Sequence, residues 1–175
     1  MTDAGAASVH ASAVLVDHRA VLIRGPSGAG KSRLAFELIL AGRSGQIAPA
    51  MLVGDDRVHL FATDGQLVVR PAPQLAGLIE IRGLGIRRCG FAEQAVVGLV
   101  VDLAAADAQR LPAPQALQSL ICGVIIPRIP VASGFSALPL VVAALTTSDG
   151  SGSSPLPNDC VKGISNHMGP SIATE

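Results

Sequence analysis

Apolar residues along this chain fall in short runs separated by glycine, proline and charged turns, a rhythm of strands more than of helices. His10 to Val16 reads as a first strand, closed by a turn at Asp17-His18-Arg19. Ala20-Val21-Leu22-Ile23 reads as a short buried strand. Helical spacing follows: Leu34, Ala35, Leu38 and Ile39 share a face, and the helix runs to about Ala41 with Gly42 as its stop. Residues 42–50 form a loop, and Met51-Leu52-Val53 is a short strand that delivers Gly54-Asp55-Asp56-Arg57 at its end. Val58–Phe61 and Gln66–Val69 flank Thr63-Asp64-Gly65, whose Asp-Gly step predicts a β-hairpin. After a connector from Pro71 to Ala76, the run from Leu78 to Ile86 sets Glu80 and Arg82 among apolar residues, on one face if the run is a strand.

The later chain continues in the same manner. Ala95 to Leu103 is the strongest strand pattern and carries Asp102 near its end. Beyond Pro112 and Pro114, Leu120 to Val131 reads as a strand broken by Pro127 and Pro130. Ser136 is placed to cap a final short helix through Leu145. Periodicity then stops, so residues 1–147 are expected to form one domain and 148–175, rich in Gly, Ser and Pro, a flexible tail.

One stretch carries explicit chemistry. Gly25-Pro26-Ser27-Gly28-Ala29-Gly30-Lys31-Ser32 satisfies G-x-x-x-x-G-K-[ST], the Walker A phosphate-binding loop, and it sits between a strand and a helix as that motif requires. Its glycines let backbone N–H groups surround phosphate oxygens at a helix N-terminus. Lys31 can then reach the β/γ-phosphates and the Ser32 hydroxyl can bind Mg²⁺, so ATP and Mg²⁺ are the cofactors expected. Lys31 is also the only lysine before Lys162 in a chain that otherwise draws its positive charge from arginine. A slender point charge suits this loop better than a forked guanidinium.

Composition narrows the partners. At 175 residues the chain can bury a real core, and 49% hydrophobic against 15% charged residues excludes a disordered body. Zero net charge and only four aromatic residues, all Phe, argue against a nucleic-acid surface. No run of about 18 apolar residues predicts a membrane span. Cys89, Cys122 and Cys160 show no C-x-x-C spacing, which fits thiols in a reducing cytoplasm. No secretory leader pattern opens the sequence, so a cytoplasmic location is expected.

A kinase needs carboxylates to hold Mg²⁺ and to orient or deprotonate the attacking hydroxyl. Three positions compete. Asp102 ends a hydrophobic strand, as a Walker B aspartate does, and is equally read as a strand-end turn residue. Asp55-Asp56 is read as a catalytic pair or a solvated turn, and Glu80 as a metal ligand or the partner of Arg82. Periodicity leaves these alternatives open.

His10, the phosphate loop, Gly54-Asp55-Asp56-Arg57-Val58 and Leu78-Ile79-Glu80-Ile81-Arg82-Gly83-Leu84-Gly85-Ile86 occur in this order, and together they resemble the catalytic domain of the HPr kinase/phosphorylase family. The likeness covers roughly residues 8–145, with no counterpart to that family's N-terminal domain. It implies an α/β P-loop fold of the phosphoenolpyruvate carboxykinase/HPr kinase type, a mixed, strand-rich sheet with few helices. It also implies a protein-serine kinase acting on an HPr-like phosphocarrier of a phosphotransferase system. By the same resemblance Lys31 and Ser32 bind the β/γ-phosphates and Mg²⁺, and Glu80 is the second metal ligand. Asp55 exchanges the proton of the substrate serine, Asp56 supports the site, and His10 is the active-site histidine near Asp55. Arg82 and Arg110 complete the catalytic set, and Asp102 reverts to a structural role.

Two departures from the family pattern shape the expectation further. Pro127 to Gly134 keeps the family's frame, but Phe135-Ser136 replaces an Arg-Asn step linked to dephosphorylation, so phosphorylase activity is expected to be weak or absent. The C-terminal helices used for hexamer and HPr contacts are replaced by the Gly/Ser/Pro-rich segment. A homo-oligomer, a hexamer in the family, is therefore an expectation of the resemblance alone. Two rival functions stay open: a small-metabolite kinase, and a regulatory nucleotide-binding module without turnover.

Overall fold

The computed structural model describes residues 7–148, so Cys160 and almost all of the tail read at 148–175 lie outside the described residues. Eleven strands and two α-helices follow one another as β1 (Ala7–Val9), β2 (Ser12–Val16), β3 (Arg19–Arg24), α1 (Lys31–Arg43), β4 (Ala50–Gly54), β5 (Val58–Thr63), β6 (Gln66–Pro71), β7 (Leu78–Ile81), β8 (Gly85–Arg88), β9 (Ala95–Leu103), β10 (Gln118–Ile121), β11 (Val124–Val131) and α2 (Leu138–Thr146). Nine strands share one mixed sheet in the order β1-β5-β6-β9-β3-β2-β4, with β11 added beside β9 and β10 beside β11. The expected strand-rich α/β architecture is the one observed.

The central strands explain why their sequences lack simple alternation. Along β3, Val21 and Ile23 join an aliphatic core under α1 with Leu34, Leu38 and Val101, while Ala20 and Leu22 face a second core. That second core is filled by Val58, Leu60, Leu67 and Val69 of the β5–β6 hairpin. Strands covered on both faces carry continuous apolar runs. β3 pairs in parallel with β9, and β9 in parallel with β11, so Arg24, Leu103 and Val131 end at one edge. β2 runs antiparallel to β3 and to β4, which brings Ser12 and Gly54 to that same edge.

The boundaries differ from the sequence reading in four informative places. The first strand begins at Ser12, and His10 stands in the bend after the separate edge strand β1. The run from Leu78 to Ile86 is a two-stranded hairpin, β7–β8, whose tip holds Gly83 at φ 85°. Arg82 therefore opens a turn instead of sharing a strand face with Glu80. The run from Leu120 to Val131 is likewise a hairpin, turning at Cys122-Gly123 with both φ angles positive. Pro130 does not break β11, because its strand pairs there only with β9 and leaves an edge where no N–H is required. Finally, α2 starts at Leu138 with Ala137 as its cap and no side-chain cap bond, so Ser136 is not the cap.

Asp102 settles into the structural alternative. Its carboxylate takes a bidentate pair from Arg24, both bonds 2.7 Å, and a 2.5 Å bond from the Arg128 guanidinium. Arg24 also donates to the Ser119 hydroxyl, and Arg128 to Asp107 and the Ala116 carbonyl. The ends of β3, β9, β10 and β11 are thereby tied through one ionic knot. Burial alone would raise the Asp102 carboxyl, but the hydrogen bonds and charges of Arg24 and Arg128 hold it below its ordinary value. Such a group contributes stability that is present above the unfolded carboxylate pKa of about 3.9 and is lost as pH falls through the lower folded value.

Asp102→Asn is expected to cost about 2–3 kcal/mol at neutral pH, less than the ~3–5 of a fully buried pair because Arg24 keeps 33% of its side chain exposed. Urea titrations at a series of pH values test it. The variant should also lose part of the decline in stability between about pH 5 and 2; an unchanged acid limb would contradict the assigned linkage.

Candidate active site

The phosphate loop is built by the end of β3 and the start of α1. Gly25 leaves the strand at φ 149°, and a Cβ there would meet Leu103 Cβ and the Leu103 carbonyl at 3.0 Å, so β9 presses against the loop entrance. Gly30 caps α1 in the left-handed conformation at φ 98°, with no side chain bonded to the first-turn amides. Those free N–H groups and the helix dipole make a ready anion site. Lys31, 6% exposed, curls its ammonium back onto the Gly25 and Pro26 carbonyls at 2.9 and 3.1 Å. Burial lowers its pKa, while the nearby Asp55 and Asp56 charges pull it back up.

A cavity of about 880 Å³ opens over this loop. Ser27 to Ser32 form its floor, and His10, Asp56, Glu80 and Arg82 stand on its wall. Three catalytic candidates, His10, Asp56 and Arg82, and the metal-ligand candidate Glu80 thus line one cavity with Lys31 and Ser32. Gly54 is required for that convergence: a Cβ would lie 2.9 Å from Val58 Cγ1 and 3.1 Å from Pro71 Cα. Glu80 points outward from β7 while its neighbour Ile79 is buried, so the cost anticipated for a carboxylate in an apolar run does not arise. No ion pair joins it to Arg82 among the described residues, and both face the same cavity.

The two neighbouring aspartates stand in different environments. Asp55, 3% exposed, accepts a 2.5 Å bond from the Ser12 hydroxyl and a 3.1 Å bond from the Glu80 backbone N–H, and it does not reach the cavity wall. Asp56 adopts φ 64°, which turns its side chain the other way, onto the cavity and to within 3.2 Å of His10 Nε2. His10 thus pairs with Asp56, and the Asp55 carboxylate at the end of β4 links β2 to β7. Arg110 is exposed in the segment between β9 and β10 and is not part of the cavity lining. No cluster of three or more His, Cys, Asp or Glu able to hold a metal by themselves occurs among the described residues.

Three contributors were not singled out by sequence reasoning. Ser12, a fully buried hydroxyl in an otherwise apolar strand, was a legible signal. Leu103 and Phe36 also line the cavity, but apolar residues at a strand end and on a helix carry no pattern that distinguishes them from core.

Fold and site define a strand-rich P-loop domain with a cavity of mixed carboxylate, histidine and lysine character over its phosphate loop. Residues 3–149 match the model of the HPr Serine kinase C-terminal domain, and the chain belongs to that family. HPr kinase/phosphorylase of Limosilactobacillus reuteri is 45% identical over 80 residues, which is 45% of this chain and 23% of the relative. The Streptococcus thermophilus protein of the same name is 46% identical over 80 residues, 45% of this chain and 24% of the relative. The matched region thus spans about a quarter of these curated relatives. The solved HPr(Ser) kinase/phosphatase from Coxiella burnetii superposes with a TM-score of 0.62 at 28% identity, over 79% of this chain and 93% of that one.

Removing the Ser12 hydroxyl isolates the Asp55 link. Ser12→Ala should destabilise the domain by about 1.5–3 kcal/mol, the usual worth of a hydrogen bond to a charged group. Thermal and urea unfolding measure it, and a loss under about 0.5 kcal/mol would mean that Asp55 finds another donor.

Proposed function

We propose that this domain is the catalytic unit of a protein-serine kinase that uses ATP and Mg²⁺ to phosphorylate an HPr-like phosphocarrier. The convergence of Lys31, Ser32, His10, Asp56 and Glu80 on one cavity over a phosphate loop carries the reading. Membership of the HPr serine kinase C-terminal domain family supports it. A pure nucleotide-binding module needs no proton acceptor, and here a carboxylate and a histidine stand together beside the loop. The described residues contain no helix long and apolar enough to cross a membrane. The free thiols Cys89 and Cys122 suit a reducing cytoplasm. The domain boundary at about residue 147, just after α2, belongs to the same proposal.

In this reading the loop amides and Lys31 hold the β/γ-phosphates, and Lys31 exchanges its two carbonyl contacts for phosphate oxygens. Ser32 and Glu80 both offer oxygen to the cavity, enough for an ion that normally keeps several waters and takes one or two protein oxygens. Mg²⁺ so held supplies charge neutralisation at the phosphates. The serine proton passes to a carboxylate of the Asp55-Asp56 pair. The family resemblance assigns Asp55, but its oxygens are already engaged, so Asp56 is the better placed acceptor here, with His10 orienting it. Arg82 stands ready for acidic groups of substrate or nucleotide.

Lys31→Ala should leave the fold intact and lower phosphoryl transfer by about 10²–10³, the typical loss for a charge-stabilising contact. Labelled ATP offered with HPr-type carriers against small alcohols reads both activity and substrate class. Transfer to alcohols alone would replace this reading with a metabolite kinase.

Asp56→Asn should lose about 10²–10⁴ in rate with ATP binding retained, as befits a general base. Asp55→Asn should lose stability as well as rate; equal melting temperatures with a larger rate loss in Asp55→Asn would return the base to Asp55.

The reverse reaction is expected to be weak. Phosphorolysis must hold inorganic phosphate beside other negative charge, which takes extra donors. Gly134-Phe135-Ser136 offers only a hydroxyl and backbone N–H groups, and Arg128 is already committed to Asp102 and Asp107. Phosphorylated carrier with excess phosphate should therefore release pyrophosphate far more slowly than the kinase runs forward, and matching rates would refute this.

A further inference from the structure

The small β7–β8 sheet carries Glu80 on the cavity wall, yet no strand ladder joins it to the main sheet. Ile79 and Ile81 pack its apolar side into the core under α1. Apolar contacts of this kind set how closely two layers approach, but they are non-directional and leave sliding along the surface open. A hydrogen bond crosses the gap and removes that freedom: the Glu80 N–H donates to Asp55 Oδ2 at 3.1 Å. The Glu80 carboxylate has no side-chain partner among the described residues, so its direction is inherited from this backbone position.

The pairing of β2 with β4 explains why Asp55 stands where it can accept that bond. Their register shifts between Ala13 and Val14, so Val14 faces Leu52 while Ala13 faces Gly54. Regular pairing continued from Val14 would set Gly54 opposite Ser12; the shift sets Asp55 there instead. Irregularities of this kind re-aim a side chain. Ser12 is fully buried and donates to Asp55 Oδ1 at 2.5 Å. Each carboxylate oxygen therefore has one donor, and the Ser12 bond fixes the rotation that offers the other oxygen to Glu80. Without the hydroxyl, a carboxylate only 3% exposed must turn to satisfy its free oxygen, and the Glu80 N–H loses its acceptor.

We propose that Ser12 is a positioning residue for the metal: acting through Asp55 on the Glu80 backbone, it keeps the Glu80 carboxylate directed into the cavity to hold Mg²⁺. The inference rests on the Mg²⁺ reading above and names what fixes the carboxylate ligand of that ion. Ser12 touches neither metal nor nucleotide in this arrangement. Its effect is that of an outer partner, which orients a ligand and so sets how tightly the ion is held.

Calorimetry of ATP binding with and without Mg²⁺ reads the contribution of the ion as a ratio of affinities. Ser12→Ala should lower that ratio about ten-fold, with metal-free ATP binding changed by less than about two-fold. Ser12→Thr keeps the hydroxyl and should keep the ratio, whatever its added methyl costs in stability. Glu80→Ala should abolish the metal-dependent gain, and adding Ser12→Ala to it should take nothing further. Hydrogen exchange supplies a readout that needs no ligand: in Ser12→Ala the Glu80 amide should lose protection while the amides of β3 keep theirs. An undiminished ratio in Ser12→Ala, equal losses with and without Mg²⁺, or further loss in the double variant would overturn the proposal. So would unchanged protection at Glu80. If the unaltered chain binds no ATP, or binds it indifferently to Mg²⁺, the nucleotide and metal reading itself fails. The positioning role then falls with it, even where Ser12→Ala frees the Glu80 amide.

Discussion

The bidentate pair between Arg24 and Asp102 fixes the end of β3 one residue before the phosphate loop begins. A loop that presents amides to an anion has few internal bonds of its own, so its shape must be imposed by what surrounds it. Here the imposition comes from three directions: the ionic knot below, Leu103 packed against Gly25, and α1 continuing from Gly30. Arg128 makes the knot double by binding the same carboxylate from β11. Its hydrogen bonds to the Asp107 carboxylate lift its pKa further above an already high value, so it stays charged across any working pH. An ion pair at this depth is a weak source of net stability but a strong constraint on register.

The polar flank obeys a similar logic at a smaller scale. Asp55 bridges a strand hydroxyl and the backbone of Glu80, so it couples the small β7–β8 sheet to the main one. Asp56, one residue later, is released to solvent and to His10. Adjacent acidic residues thus take opposite environments, one tied into the framework and one open to the cavity.

Most of this was legible in the chain, and the illegible parts share a cause. Apolar runs located β3, β4 and β9, the Asp64-Gly65 step located its hairpin, and the spacing of Gly25 to Ser32 located the loop between β3 and α1. What the sequence hid were backbone reversals inside apolar or acidic runs. Cys122 takes a positive φ that cysteine seldom adopts, so one strand was read where two exist. Gly83 and Gly85 carried a turn signal inside Leu78–Ile86, but the apolar residues around them masked it. The Asp55-Asp56 division depends on a single positive φ at Asp56, which no pattern of side chains announces.

The parallel pairing of β3 with β9 also bears on how the chain acquires its shape. Arg24 and Asp102 are 78 residues apart, and the pairing on which the loop rests cannot form until the intervening strands have found their places. Contacts of such long sequence separation are reached slowly, because the entropy of closing the intervening chain is lost before they repay it. Helix α1 can form early, yet the loop at its N-terminus takes its shape only when the sheet beneath is complete. The loop's final shape therefore arrives with the last topological step, and a ligand that gripped it would stabilise the entire sheet against unfolding.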